Sequence, residues 1–477
     1  MTAVTVSTRT HSERVVTETR YAPSVAIAGE HRLPGPRARF LSLRAALLYA
    51  LAAIVLTIPM AAISAVVRGD PGTPGALVTD PRTVGQRAVD DAQTRLLRAP
   101  GDPHLSTQLA SAYLQRARET GDPTYYSKAD GLLSTAAADL PADADLAIAE
   151  GSLALSRHDF AAALGWGTRA VALAPARPTA YGVLVDAEVE LGRYDEAVAN
   201  AQRMADMRPD LSSYTRISYL RELHGDVAGA IAAMQLAIQA GPASGEATAW
   251  CDVQLGNLYF ARGDLDAAEH AYVRSVQRIA GYPHGNAGLA RVRAARGDLV
   301  PAATLYERVV ATLPLPDYVG ALGDVYARLG NADAAARQYA LVDVERRLLL
   351  ANGVRIDADL ALFDADHRHD VAHAVDVARS EYAIRPSVHI ADILAWAELQ
   401  SGDVAGALAH SVEALRLGSQ DPLLLYHAGV IAQAAGDKAR ALELLQRAHD
   451  LSPRFSFLWA DDLARRLSDR SASGGVR

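Results

Sequence analysis

The chain has 477 residues and a formal charge of -8; half of its residues are apolar, 21% are charged and only 6% are aromatic. That composition excludes disorder throughout and argues against a sandwich or barrel, and the net acidity argues against the basic surface that nonspecific nucleic-acid binding needs, while leaving room for a local basic patch. The single cysteine, Cys251, excludes an intramolecular disulfide and any multi-cysteine metal site, and of the 47 basic residues only Lys128 and Lys438 are lysine.

In chain order, residues 1–40 are polar, have no lasting period and read as a flexible tail. The stretch 45–67 carries no charge, and its length in a helix, roughly 1.5 Å per residue, matches a bilayer core. Residues 41–67 are therefore expected to form a transmembrane helix, with the lipid bilayer as a partner of residues 45–67. A signal peptide fits less well, because the apolar run is long and starts late, although Ala62, Ser64 and Ala65 resemble a cleavage site. Arg37, Arg39 and Arg44 precede the span, so the positive-inside bias predicts a cytoplasmic amino terminus and an extracytoplasmic remainder, at a bacterial cell membrane. Residues 68–81, rich in Gly and Pro, read as a linker, and 82–104 as a leading helix with its connection.

From about residue 105 the pattern becomes periodic. Gly192, Gly225, Gly263, Gly297, Gly330, Gly402 and Gly436 each end a helical pattern and precede an alanine-rich one; Gly263 to Gly297 is 34 residues, Gly297 to Gly330 is 33 and Gly402 to Gly436 is 34. Within 249–282 the key positions are Leu255, Gly256, Tyr259, Gly263, Ala268 and Tyr272; the next copy supplies Leu289, Ala290, Gly297, Ala302, Tyr306 and Pro314. Small residues let paired helices approach, tyrosines fill the wider gaps, and glycine supplies the left-handed stop.

This register resembles the tetratricopeptide repeat. The resemblance extends over 105–453, about ten helical pairs, with 454–468 expected as a capping helix and 469–477 as a disordered tail. The expected fold is all-α: a tetratricopeptide repeat solenoid of helical hairpins preceded by one transmembrane helix, each hairpin burying its apolar stripe against its neighbours.

No phosphate loop, metalloprotease motif or nucleophile elbow is present, so no catalytic residue, cofactor or metal is expected. The nearest cluster, Asp364, Asp366, His367, His369, Asp370 and His373, contains chemically competent zinc ligands but falls on a turn, where helix capping explains it. Cys251 reads as packing, and Tyr282 with His284 as a helix connection. The resemblance implies that first helices line a concave groove. Transferred by register, its exposed positions are Tyr219, Glu222, Asn257, Phe260, Arg291, Asp324, Arg328, Phe363 and Trp396, a mixed ladder suited to a protein or extended peptide. The expected function is a membrane-anchored scaffold for complex assembly on the extracytoplasmic face. The alternatives are a single-pass envelope regulator relaying a peptide or assembly signal, and a metal-dependent accessory enzyme.

Overall fold

The computed structural model describes residues 84–355 and 358–474, and every regular element there is a helix. A leading helix α1 (Val84–Arg98) precedes ten consecutive pairs. They are α2 (Pro103–Thr120) with α3 (Thr124–Ala137), α4 (Ala144–Ser156) with α5 (Phe160–Leu173), α6 (Pro178–Glu190) with α7 (Tyr194–Met207), and α8 (Leu211–His224) with α9 (Val227–Ala240). The middle pairs are α10 (Glu246–Ala261) with α11 (Leu265–Arg278), α12 (Pro283–Arg296) with α13 (Leu299–Thr312), and α14 (Pro316–Arg328) with α15 (Ala332–Ala351). The last are α16 (Ala358–Asp366) with α17 (Val371–Ile384), α18 (Val388–Ser401) with α19 (Val404–Ala414), and α20 (Pro422–Ala434) with α21 (Lys438–Leu451), followed by α22 (Ala460–Gly474).

In most pairs the turn is built by two adjacent residues. In the α8–α9 pair, Gly225 adopts φ 93°, which only glycine reaches without strain, and ends α8. Asp226 then caps α9, its carboxylate accepting the N–H of Gly229 at 2.8 Å. Asp264, Asp403 and Asp437 repeat the device after Gly263, Gly402 and Gly436. In the α4–α5 turn His158 takes the glycine's place, at φ 57°.

Five residues after Gly192, Gly225, Gly263, Gly297, Gly330, Gly402 and Gly436 the second helix packs on the first, and each of these positions is alanine. Ala197, Ala230, Ala268, Ala302, Ala407 and Ala441 are fully buried and Ala335 nearly so. Ala268→Leu is therefore expected to overpack the crossing and to cost about 1–3 kcal/mol in urea unfolding; a cost near zero would mean that the helices separate there freely.

The pairs also pack at long range. Hydrogen bonds join residues 192, 194, 195 and 196 positions apart: Ser452 to the Phe260 carbonyl, Val388 N–H to the Tyr194 hydroxyl, Arg385 to Glu190, and Arg355 to Asp159. The near-constant offset, just under six repeats of 34 residues, means that later pairs lie on earlier ones in a fixed register. Turns within early pairs meet the connections between late ones.

Among the described residues no helix is long and apolar enough to cross a membrane. Helices other than α15 have 9 to 18 residues, at most about 27 Å. The 20-residue α15 carries Asp333, Arg337, Asp343, Glu345, Arg346 and Arg347 and cannot face lipid tails. This corrects the expected fold: among the described residues an all-α solenoid of paired helices stands without a transmembrane helix. The proposed span, 45–67, lies outside the described residues, as do the tail and linker. The bilayer as partner, the membrane-anchored scaffold, the single-pass relay and the extracytoplasmic localisation at a bacterial membrane all depended on a spanning helix, and no described helix supplies one.

Candidate functional site

A pocket opens on the inner faces of four successive first helices, α10, α12, α14 and α16, with an empty volume of about 890 Å³, its open mouth included. Its position follows from the tyrosines of the second helices. Tyr272, on α11, is fully buried, and its ring lies so close to Gly256 and Gly288 that a Cβ at either would come within 2.4 Å of ring carbons. The ring thus slots between two first helices, and its hydroxyl reaches Asn257, at 2.7 Å from Oδ1. Tyr339 on α15 repeats the arrangement one pair further on but one: it packs against Gly323 and donates to Asp324 at 3.0 Å. Core packing and pocket wall are therefore one structure.

Arg291, on α12 between these two positions, is 8% exposed. Its Nη2 donates to Asn257 Oδ1 at 2.6 Å and to the Tyr272 hydroxyl at 2.5 Å, and the guanidinium sits 4.2 Å from the centre of the Phe260 ring. Its Nε is buried without a hydrogen-bond partner. A buried guanidinium held only by neutral groups is costly and attracts an acceptor. Four carboxylates, Asp317, Asp324, Asp359 and Asp366, also line the pocket, with Tyr318, Phe363 and Phe457 as apolar wall.

Both ring nitrogens of His367 face acceptors: Nδ1 the Phe363 carbonyl at 2.8 Å and Nε2 Asp324 at 2.7 Å. Burial alone would lower its pKa, but the hydrogen bond and charge of Asp324 outweigh it and hold the ring above the ordinary histidine value. A raised folded pKa contributes stability that is complete below about pH 6.5 and lost as pH rises through the folded value. The melting-temperature advantage of the native chain over His367→Gln is therefore expected to shrink between about pH 6 and about pH 9; an advantage that grows with pH would contradict a charged imidazole. His284 is the opposite case: desolvation lowers its pKa to about 4, and it shares a 2.6 Å hydrogen bond with the Tyr318 hydroxyl.

The structure brings four of the nine register-assigned residues, Asn257, Arg291, Asp324 and Phe363, around this pocket. Phe260 backs Arg291 from below. Tyr219 and Glu222 are buried on α8, and Trp396 is buried on α18, stacked on His427 at 4.1 Å with its indole N–H donating to Asp366. Arg328 lies at the end of α14, where it binds the Phe457 carbonyl at 2.5 Å and Asp461 at 2.8 Å. The register did not point to His284, Asp317, Tyr318, Asp359 or Phe457. The first four lie one helical turn or more from the transferred position on the same inner faces, and Phe457 arrives from a distant part of the chain.

The histidine-rich cluster is dispersed. Asp364 receives both nitrogens of the Arg346 fork, at 3.0 and 2.9 Å, while His367 turns to Asp324 and the exposed His369 keeps a 3.3 Å contact with Asp364. Asp370 caps α17 through the His373 N–H. Among the described residues no group of three or more His, Cys, Asp or Glu could hold a metal ion. Cys251 is fully buried, and desolvation pushes its thiol well above the ordinary range.

Comparison with known proteins gives the repeat its name. The family model described as tetratricopeptide repeat matches residues 183–245 and 394–454. The Hsp70-Hsp90 organizing protein of Triticum aestivum is 33% identical over 102 residues, covering 21% of this chain and 18% of that protein, so the chain spans less than a fifth of that relative's length. Among solved structures, the APC/C hetero-tetramer Cut9-Hcn1 is similar with a TM-score of 0.44 at 14% identity, covering 80% of this chain and 67% of that one. MamA is similar with a TM-score of 0.28 at 18% identity, covering 34% and 95%. With two separate stretches matching the repeat model and ten like pairs in register, the chain carries tetratricopeptide repeats.

Proposed function

We propose that this chain is a noncatalytic scaffold that binds an extended segment of another protein in the pocket between α10, α12, α14 and α16. The observation that carries the reading is Arg291: a buried guanidinium with an unpartnered Nε, beside the side-chain amide of Asn257 and facing an aromatic wall. An amide and a guanidinium read a peptide backbone or an acidic side chain, and the wall of Tyr318 and Phe363 receives an apolar one. Such a mixed site gives orientation through the polar groups and affinity through the apolar ones. The Triticum aestivum relative is, by its name, a protein that organizes two others, which accords with a binding role for the repeat.

A random peptide library panned on the full chain tests this. Enriched peptides should slow hydrogen exchange in α12, α14 and α16. Failure to enrich any peptide, or protection confined to the outer second helices, would refute the pocket as the binding site.

A further inference from the structure

Between α21 and α22 the chain leaves helical structure, and residues 454–459, Arg-Phe-Ser-Phe-Leu-Trp, run across the ends of the first helices. Arg454 donates to the Ala295 carbonyl at the end of α12, at 2.8 Å. Phe455 packs at 5.7 Å from the Tyr426 ring, between ring centres. Two residues on, Phe457 is buried among Ala287, Ala290, Tyr318 and Leu322 and forms part of the pocket wall, while its carbonyl accepts from Arg328. Ser456 between them turns its hydroxyl back to the N–H groups of Leu458 and Trp459. The indole N–H of Trp459 donates to Asp366 at 3.3 Å.

These are the contacts of a bound peptide: side chains two apart in separate sockets, a backbone carbonyl read by an arginine, and an end held at a helix carbonyl. The hold at the rim is weak, because Arg454 is exposed and the Arg328 to Asp461 ion pair is 37% and 67% exposed. Behind the segment α22 has contacts of its own: Leu463 is fully buried, and Tyr426 donates to Asp462 at 2.7 Å.

We propose that the groove takes peptides with an aromatic-small-aromatic pattern, and that residues 454–459, held in a run of turns, are its resident occupant, displaced when such a peptide arrives from another protein. This rests on the pocket being a peptide site. It predicts competition: the receptor surface on α12 and α14 is available in trans only when the resident segment is loosened.

The probe is a fluorescein-labelled synthetic peptide of residues 452–462, titrated into the full chain and read by anisotropy. Phe457→Ser, which loosens the segment and leaves α12 and α14 intact, should bind the peptide at least about tenfold tighter than the native chain. Arg454→Ala, a surface change that keeps the aromatic core, should move affinity in the same direction and serves if Phe457→Ser does not fold. A peptide with both phenylalanines replaced by serine should bind neither chain. Equal affinity for native and loosened chains, or binding to none of them, overturns the proposal. Dimers formed by exchanged segments would also overturn it, by making a second copy the occupant. Library peptides that bind native chain while this peptide does not would sink the resident-ligand idea alone; an empty library would sink the peptide site itself.

Discussion

Replacing Arg385 by alanine is expected to destabilise the fold by about 3–5 kcal/mol, far more than its distance along the chain from any pocket residue suggests. Arg385 and Glu190 are both buried and meet at 3.1 Å, and the same guanidinium bonds Glu381 at 2.7 Å and covers the Phe160 ring at 4.7 Å. Two carboxylates and a ring thus converge on one cation where the connection after α17 crosses the end of α6. Removing the cation leaves buried negative charge without its counter-charge, which costs more than the pair contributes over apolar neighbours. Equilibrium urea unfolding measures the loss. Replacing both partners, as Glu190→Leu with Arg385→Met, should recover part of it, because the buried carboxylate leaves with the cation. If Arg385→Ala costs less than about 1 kcal/mol, the long-range register is not held by this pair.

Tyr272→Ala should cost a similar amount, about 3–5 kcal/mol, through a different mechanism. The ring fills the gap between α10 and α12 against two glycines, so its loss leaves a cavity that the backbones cannot close without shifting. Tyr272→Phe keeps the ring and removes only the hydroxyl that bonds Asn257 and Arg291. Its cost should be nearer 1.5–3 kcal/mol, the range for a hydrogen bond to a charged group. Urea unfolding of the two variants separates packing from polar support. Equal losses would show that the hydroxyl, not the ring, carries the contact.

The local half of this architecture was legible in the sequence because it repeats. A glycine stop, an alanine five residues on and a tyrosine further along the second helix recur at 33 or 34 residues, and Gly263, Ala268 and Tyr272 occupy the places in the fold that the pattern implies. The aspartates that follow the glycines belong to the same signal. What periodicity does not carry is contact between residues almost six repeats apart. Register places Tyr219, Glu222 and Trp396 on first helices but does not say which of them another part of the chain covers; Val388 shares an apolar cluster with Tyr219 from well over a hundred residues away, and Trp459 meets the Trp396 ring edge-on. The return of Phe457 to the pocket is hidden for the same reason. The uncharged stretch 45–67 was read from hydropathy alone, and no helix among the described residues supplies a membrane crossing.

The dissociation constant of one library-selected peptide, measured by calorimetry on native chain and on Arg291→Gln, decides whether the concave pocket is the binding site. Glutamine keeps a donor for Asn257 and the Tyr272 hydroxyl and removes the charge and the unpartnered Nε. Binding at least about tenfold weaker in Arg291→Gln, with the free energy of urea unfolding held within about 1 kcal/mol of native, is the predicted result. Equal affinity in the two chains would place recognition on another face and contradict the pocket as the site of partner binding.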